Sequence, residues 1–146
     1  MTGEFHIRAL GIDDAQRVAE LNAQLGYDAE TDAIRERLRR IEVEGGHGVF
    51  GAEGANGLVG FVHFFERPSI EKGFDLVVQS LVTDETQRGR GIGRLLMDEV
   101  EKSAQSRGIR SIVLSSRTDR QGAHAFYDVL GYKAVATSTI FSKTLK

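Results

Sequence analysis

The chain of 146 residues contains no cysteine and no tryptophan, and it has a single proline, Pro68. Without cysteine there are no disulfides and no thiolate metal ligands, which fits a reducing, cytoplasmic compartment. The most obvious nucleophile for a covalent intermediate is missing as well. No apolar run approaches the length of a bilayer span, and Met1–Leu10 does not read as a signal peptide, so no membrane partner is expected. Net charge is only −2, leaving no global field to recruit nucleic acid. The histidines, His6, His47, His63 and His124, show no paired spacing and no accompanying carboxylate cluster, so no metal site is expected. What remains is 40% hydrophobic and 27% charged, the composition of one globular domain over residues 1–146.

One stretch stands out against this ordinary background. Leu76–Val82 is short and mostly apolar, and reads as a buried strand with parallel neighbours. From Ile92, the residues Leu95, Leu96, Val100 and Ala104 recur at helical spacing, and Gly108 is placed to end that helix. Between strand and helix lies Gln87-Arg88-Gly89-Arg90-Gly91-Ile92-Gly93, followed by Arg94. The first N–H groups of a helix have no internal partner and sit at the positive end of its dipole. Glycines let an anion approach that backbone closely, and Arg88, Arg90 and Arg94 add mobile positive charge, so a phosphate site is expected here. The other reading is a tight turn whose glycines serve backbone angles alone. The Walker pattern fails because no Lys-Ser/Thr pair follows the last glycine, and the dinucleotide fingerprint fails at Arg94.

The rest of the chain sets this unit in a mixed fold. Phe5–Leu10 reads as a strand, and Asp13-Asp14-Ala15-Gln16 as the acidic start of a helix whose stripe is Val18, Leu21 and Leu25. A second helix is expected over Thr31–Glu44, with Ile34, Leu38 and Ile41 inward and its arginines solvated. His47–Glu53 and Leu58–Phe65 flank Gly54-Ala55-Asn56-Gly57, a hairpin signal. Glu66–Gly73, with Pro68, reads as a polar loop. Ser111–Ser116 reads as a strand, Gly122–Leu130 as a short helix, and Thr139–Leu145 as a final strand with Ile140 and Phe141 partly buried. The expected class is α/β (α+β), with the strands around Leu76–Val82 and Ser111–Leu114 parallel through a crossover helix.

Arg88-x-x-Gly91-x-Gly93 resembles the pyrophosphate-binding signature of the GNAT superfamily of N-acetyltransferases. Ala123-His124-Ala125-Phe126-Tyr127-Asp128-Val129-Leu130-Gly131-Tyr132 is similar to that superfamily's A-x-x-F-Y-x-x-x-G-[FY] segment. The resemblance implies acetyl-coenzyme A as cosubstrate, entering where the two parallel strands splay. It implies that backbone groups at Leu81, Val82 and Thr83 hold the pantetheine arm and thioester oxygen, and that Arg88–Arg94 hold the pyrophosphate: Arg88, Gly89, Arg90, Gly91, Ile92, Gly93 and Arg94. Tyr127 matches the family tyrosine that protonates the departing thiolate, as a phenol with a pKa near 10 is able to do; it also reads as a packed aromatic beside Phe126. His124, three residues earlier on the same helical face, reads equally as a cofactor contact or a local cap. Arg120 stands where many members carry asparagine.

The proton acceptor for the amine is the least defined group. The family's strand glutamate would fall at Val77, which cannot serve, leaving His63, Glu66, Asp75 or a water relay, with Gln79 able to orient a water. From Asp75 to Leu145 the chain resembles small GNAT proteins that include aminoalkylphosphonate N-acetyltransferases. This favours transfer to a primary amine of a small molecule. Acetylation of a protein lysine or amino terminus is the alternative; it needs an open groove, and a shorter or mobile Glu66–Gly73 loop would favour it. A non-catalytic acyl-coenzyme A sensor is the third reading. A homodimer is left open.

Overall fold

The computed structural model describes residues 4–116 and 121–146. It divides into two compact units, Met1–Ser115 and Ser116–Lys146. In the first, five strands lie in sequence order: β1 (His6–Ala9), β2 (His47–Gly54), β3 (Gly57–Ser69), β4 (Gly73–Thr83) and β5 (Ile112–Leu114). All neighbours are antiparallel except β4 and β5, which are parallel. The crossover between these two is α3 (Ile92–Ser106). Between β1 and β2 stand α1 (Ala15–Gln24) and α2 (Thr31–Glu44).

Alternation along the strands assigns each face. Val49, Phe61 and Val82 point to one side and pack with Val18, Leu21, Ile34 and Leu38 of α1 and α2. Gly60, Val62 and Phe64 point to the other, which is covered by α3. The α3 stripe is Ile92, Leu96, Met97, Val100 and Ala104. Leu95, expected inward, is instead 37% exposed and Met97 takes its place, because 96, 97, 100 and 104 follow one helical face and 95 lies off it. At the start of α1 the acidic pair acts one residue later than its spacing suggests. Asp14 accepts from the Gly11 amide at 2.9 Å and is held by Arg8 at 2.8 Å.

The β2–β3 hairpin turns at Ala55-Asn56, with Gly57 at φ +109°. The expected loop over Glu66–Gly73 is not a loop. Pairing of β3 with β4 runs on to Ser69↔Gly73, leaving only residues 70–72 as the turn. Arg67 pairs across to Asp75 at 3.1 Å and helps hold the extension. Proline is tolerated for a specific reason. Glu66 donates its amide to Gly46 on the β2 side, so two residues on the missing Pro68 N–H would face the same side, where β2 has already ended.

In the second unit, α4 (Gln121–Val129) forms as expected and is closed by Gly131 at φ +95°. Thr139–Leu145 is not a strand: residues 132–146 have no regular structure, and Ile140 and Phe141 are 88% and 90% exposed. Among the described residues of this unit no strand is present to pair with, and a lone strand leaves its backbone groups without ladder partners. Arg120 lies outside the described residues.

Candidate active site

The β4–β5 ladder is short. It joins Leu76–Val78 to Ile112–Leu114, while β4 continues to Thr83 with, among the described residues, only β3 beside it. A bulge marks the change, since Val78 faces Phe64 and Ser80 faces His63, with Gln79 extra between them. Before the bulge, the Leu76 amide donates toward β5, to Ser111 at 2.9 Å. After it, the Asp84 amide donates toward β3, to Val59 at 2.8 Å. Alternation from that bond places the Val82 amide toward β3 and the Leu81 and Thr83 amides away from it, on the side where no strand pairs. The bulge therefore turns two backbone donors toward an edge where no described residue accepts from them.

A turn carries the chain from this edge into α3, and Asp84 ties it down. Its Oδ1 accepts from the Thr86 amide and hydroxyl, both at 3.0 Å, and its Oδ2 from Arg17 at 2.5 Å. Its carbonyl accepts from Gln87 at 2.8 Å. The Thr86 hydrogen bonds and the Arg17 guanidinium hold the Asp84 carboxyl down to about 2, against the opposing effect of burial. Glu85 donates its amide to Gln24 on α1 at 2.9 Å. Sequence reading passed over Asp84, although Asp-x-Thr at a strand end is a turn signature. Gly60 was passed over too. A Cβ there would lie 2.7 Å from the Val82 carbonyl and 3.1 Å from Ile92, so glycine lets the first turn of α3 settle onto the sheet.

Beyond Gln87 the bonding changes. Gly89 and Gly91 take φ of +84° and +82°, and a Cβ on either would meet nothing within 4 Å. Gly91 is the residue before α3 and offers no side-chain cap. Its carbonyl accepts from Leu95, the first bond of the helix, so the amides of Ile92, Gly93 and Arg94 have no partner four residues back. Ile92 itself is anchored, 1% exposed. Arg88 and Arg94 are exposed and form no ion pair among the described residues. Arg90 is not the mobile charge expected of it: it pairs with Glu4, donates to Gln87 at 2.6 Å and lies 5.0 Å over the Phe5 ring.

In the second unit, His124 and Tyr127 stand one turn apart on α4, His124 exposed and Tyr127 half-buried. Tyr127 packs edge-on to Phe126 and Tyr132, and burial raises its phenol above the ordinary value, so it keeps its proton at neutral pH. Among the described residues no three His, Asp or Glu side chains gather as a metal site, and no helix is long and apolar enough to cross a membrane.

Two of the candidate proton acceptors are already engaged. Glu66 accepts from Arg107 at 2.7 Å. Asp75 is 4% exposed, and hydrogen bonds from Ser111 and Arg67 hold its carboxyl below the usual range. His63 is half-buried, with Nε2 3.0 Å from Nδ1 of His47; burial and His47 bring it down to about 4.

Residues 12–132 match the acetyltransferase (GNAT) family. The chain is 36% identical over 132 residues to the N-alpha-acetyltransferase RimI of Mycobacterium tuberculosis, covering 88% of this chain and 78% of that protein. Its fold is similar to a transcriptional regulator from Bacillus halodurans, with a TM-score of 0.87 at 21% identity over 95% of this chain and 99% of that one. It is likewise similar to a ribosomal-protein-alanine N-acetyltransferase from Brucella melitensis, with a TM-score of 0.79 at 24% identity over 96% and 99%.

Proposed function

The chain belongs to the acetyltransferase (GNAT) family, an N-acetyltransferase family that uses acetyl-coenzyme A, and from that premise we propose that it acetylates the free α-amino group of a polypeptide. The observation that carries the reading is one run of backbone donors without a partner among the described residues. It begins with Leu81 and Thr83 on the open edge of β4 and continues with Ile92, Gly93 and Arg94 at the start of α3. The open glycines and exposed arginines suit a pyrophosphate, and the β4 amides suit a pantetheine arm and the thioester oxygen. In this reading the whole of 1–146 works as one N-acetyltransferase domain.

Each residue then has a task. Arg88 and Arg94 supply charge around the diphosphate, Gly89 and Gly91 admit it to the backbone, and Ile92 anchors the helix end that binds it. Arg90 joins on release from Glu4. A β4 amide polarises the thioester carbonyl, the neutral amine attacks its carbon, and the C–S bond breaks. Tyr127 gives its proton to the leaving thiolate, and His124 contacts the cofactor from the same helix. Tyr127→Phe keeps the ring and deletes the donor, so it should lower the single-turnover rate by about 10²-fold or more while sparing coenzyme A affinity.

Two observations favour a polypeptide over a small amine. The relative matched over 88% of the chain is named for α-amino acetylation. The Glu66–Gly73 connection is a tight hairpin rather than a loop long enough to fold over an acceptor. The test is thiol release from acetyl-coenzyme A with peptides bearing free or blocked α-amines, set beside lysine side chains and small primary amines. Turnover only with free α-amino peptides is expected. Preference for aminoalkyl compounds would return the assignment to a small-molecule acceptor.

A further inference from the structure

We propose that His63 and His47 form a two-imidazole relay that takes the proton lost by the acceptor ammonium and delivers it to the solvent cleft beside α2. The inference rests on the reading of amine acetylation above and names the group that reading leaves open.

Placement comes first. His63 sits on β3 directly opposite Ser80, the residue that follows the bulge, and next along β4 comes Leu81 with its free amide. His63 shares the sheet face of Phe61, as Ser80 shares that of Val82. Phe61 and Val82 belong to the core under α1, and His63 and Ser80 are the next residues out, both half-buried. His63 thus lies at the rim of the covered face, one strand from the open edge.

Its connection to solvent comes second. His63 Nε2 and His47 Nδ1 are 3.0 Å apart, a hydrogen bond in which one ring donates and the other accepts. With the proton on His63 Nε2, the second nitrogen of His63 is an acceptor and the second nitrogen of His47 a donor. A proton arriving at His63 Nδ1 then moves the Nε2 proton to His47 and releases another from His47 Nε2. His47 lines a cleft of about 260 Å³ together with Leu38, Ile41, Glu42, Gly45 and Arg107. The route therefore ends at a cleft lined by the Glu42 carboxylate.

The charged groups bordering this face on β3, β4, α1 and α3 are paired among the described residues, and Glu42 stands at the cleft where the route ends. Arg67 and Asp75, farther along β3 and β4, neutralise one another. Arg17 of α1 pairs with Asp84 and Glu20. Arg107, at the cleft, pairs with Glu66 on the opposite side of β3. Because His63 is held near 4, it enters the cycle unprotonated and passes a proton on rather than storing it. The balance is complete: the ammonium loses one proton through a single water to His63, the freed lone pair forms the C–N bond, the nitrogen's second proton replaces the one that Tyr127 gives to the thiolate, and His47 releases one proton to solvent.

The experiment compares wild type, His63→Gln, His47→Gln and His47→Ala across pH with a free α-amino peptide, and measures coenzyme A affinity in parallel. We expect each variant to lose about 10²-fold in turnover at neutral pH, with acetyl-coenzyme A affinity changed less than about two-fold. The variants should regain rate as pH rises toward the amine's own pKa, near 8, where free amine no longer needs an acceptor. Added imidazole should restore His47→Ala, which a packing role would not allow. A wild-type pH profile in His63→Gln, or no response of His47→Ala to imidazole, overturns the relay alone. Absence of acetyl transfer to any amine by the wild type overturns the parent reading and the relay with it.

Discussion

Two halves of one connection, 84–87 and 88–94, follow the same strand and lead into the same helix, yet their bonding is opposite. In the first, Asp84 accepts from Thr86 twice, from Arg17 and from Gln87, and Glu85 is tied to α1. In the second, two glycines stand open at positive φ, three helix amides lack internal partners, and two arginines point to solvent. A saturated turn fixes where the helix begins. An unsaturated one leaves donors for something else to bind, and it can stay unsaturated because its neighbour holds the backbone in place.

Mutation should separate the two halves, and the largest effect is expected in the open one. Gly91→Val places a branched side chain at φ +82° in the space where an anion would approach. Loss of two charge-assisted hydrogen bonds at about 1.5 kcal/mol each corresponds to about 100-fold in coenzyme A affinity. The strained backbone also costs about 1–3 kcal/mol of stability, so titration is read on protein shown to be folded. Affinity that follows stability and nothing more would make the glycine purely structural.

Asp84→Ala should do the reverse, costing about 2 kcal/mol of stability through the lost cap and the stranded Arg17, with affinity of the folded protein nearly kept. Acid unfolding tests the same carboxylate. Its folded pKa is about 2, below the ordinary value, so its stabilisation is whole above about 4 and disappears as pH falls toward 2. Urea titrations between pH 5 and 2 should show a steeper loss of stability in wild type than in Asp84→Asn.

Smaller effects sharpen the contrast. Arg88→Ala and Arg94→Ala should each weaken coenzyme A about two- to five-fold in low salt and less in high salt, because an exposed charge is screened. A salt-independent loss would indicate a buried contact instead. Glu4→Gln frees Arg90 from its carboxylate and should tighten binding by no more than about three-fold. Weaker binding in that variant would mean that Glu4 positions Arg90 rather than restraining it.

Much of this was legible in the chain. The glycines between a buried apolar run and an amphipathic helix announce a strand, an open turn and a helix start, because periodicity and positive φ are local properties. The β2–β3 turn and α2 followed from the same local rules. Where those rules gave the wrong answer, a partner outside the window decided. Glu66–Gly73 reads as loop from its polarity and proline, but β4 supplies a ladder and the end of β2 makes the proline harmless. Thr139–Leu145 has strand composition and, among the described residues of its own unit, no strand to pair with.

The sequence alone determined the glycine turn and the helix that follows it, since backbone freedom at Gly89 and Gly91 and the apolar stripe from Ile92 depend on neighbours within a few residues. Tertiary structure alone decided which donors are free and which acidic groups are spent. The Gln79 bulge reverses the direction of the amides that follow it, Arg90 is drawn to a residue 86 positions earlier, and Glu66 and Asp75 are claimed by cations while His63 finds His47. Hydrogen bonds and charges are settled by whatever lies within about 3 Å in space, and position along the chain carries no record of that.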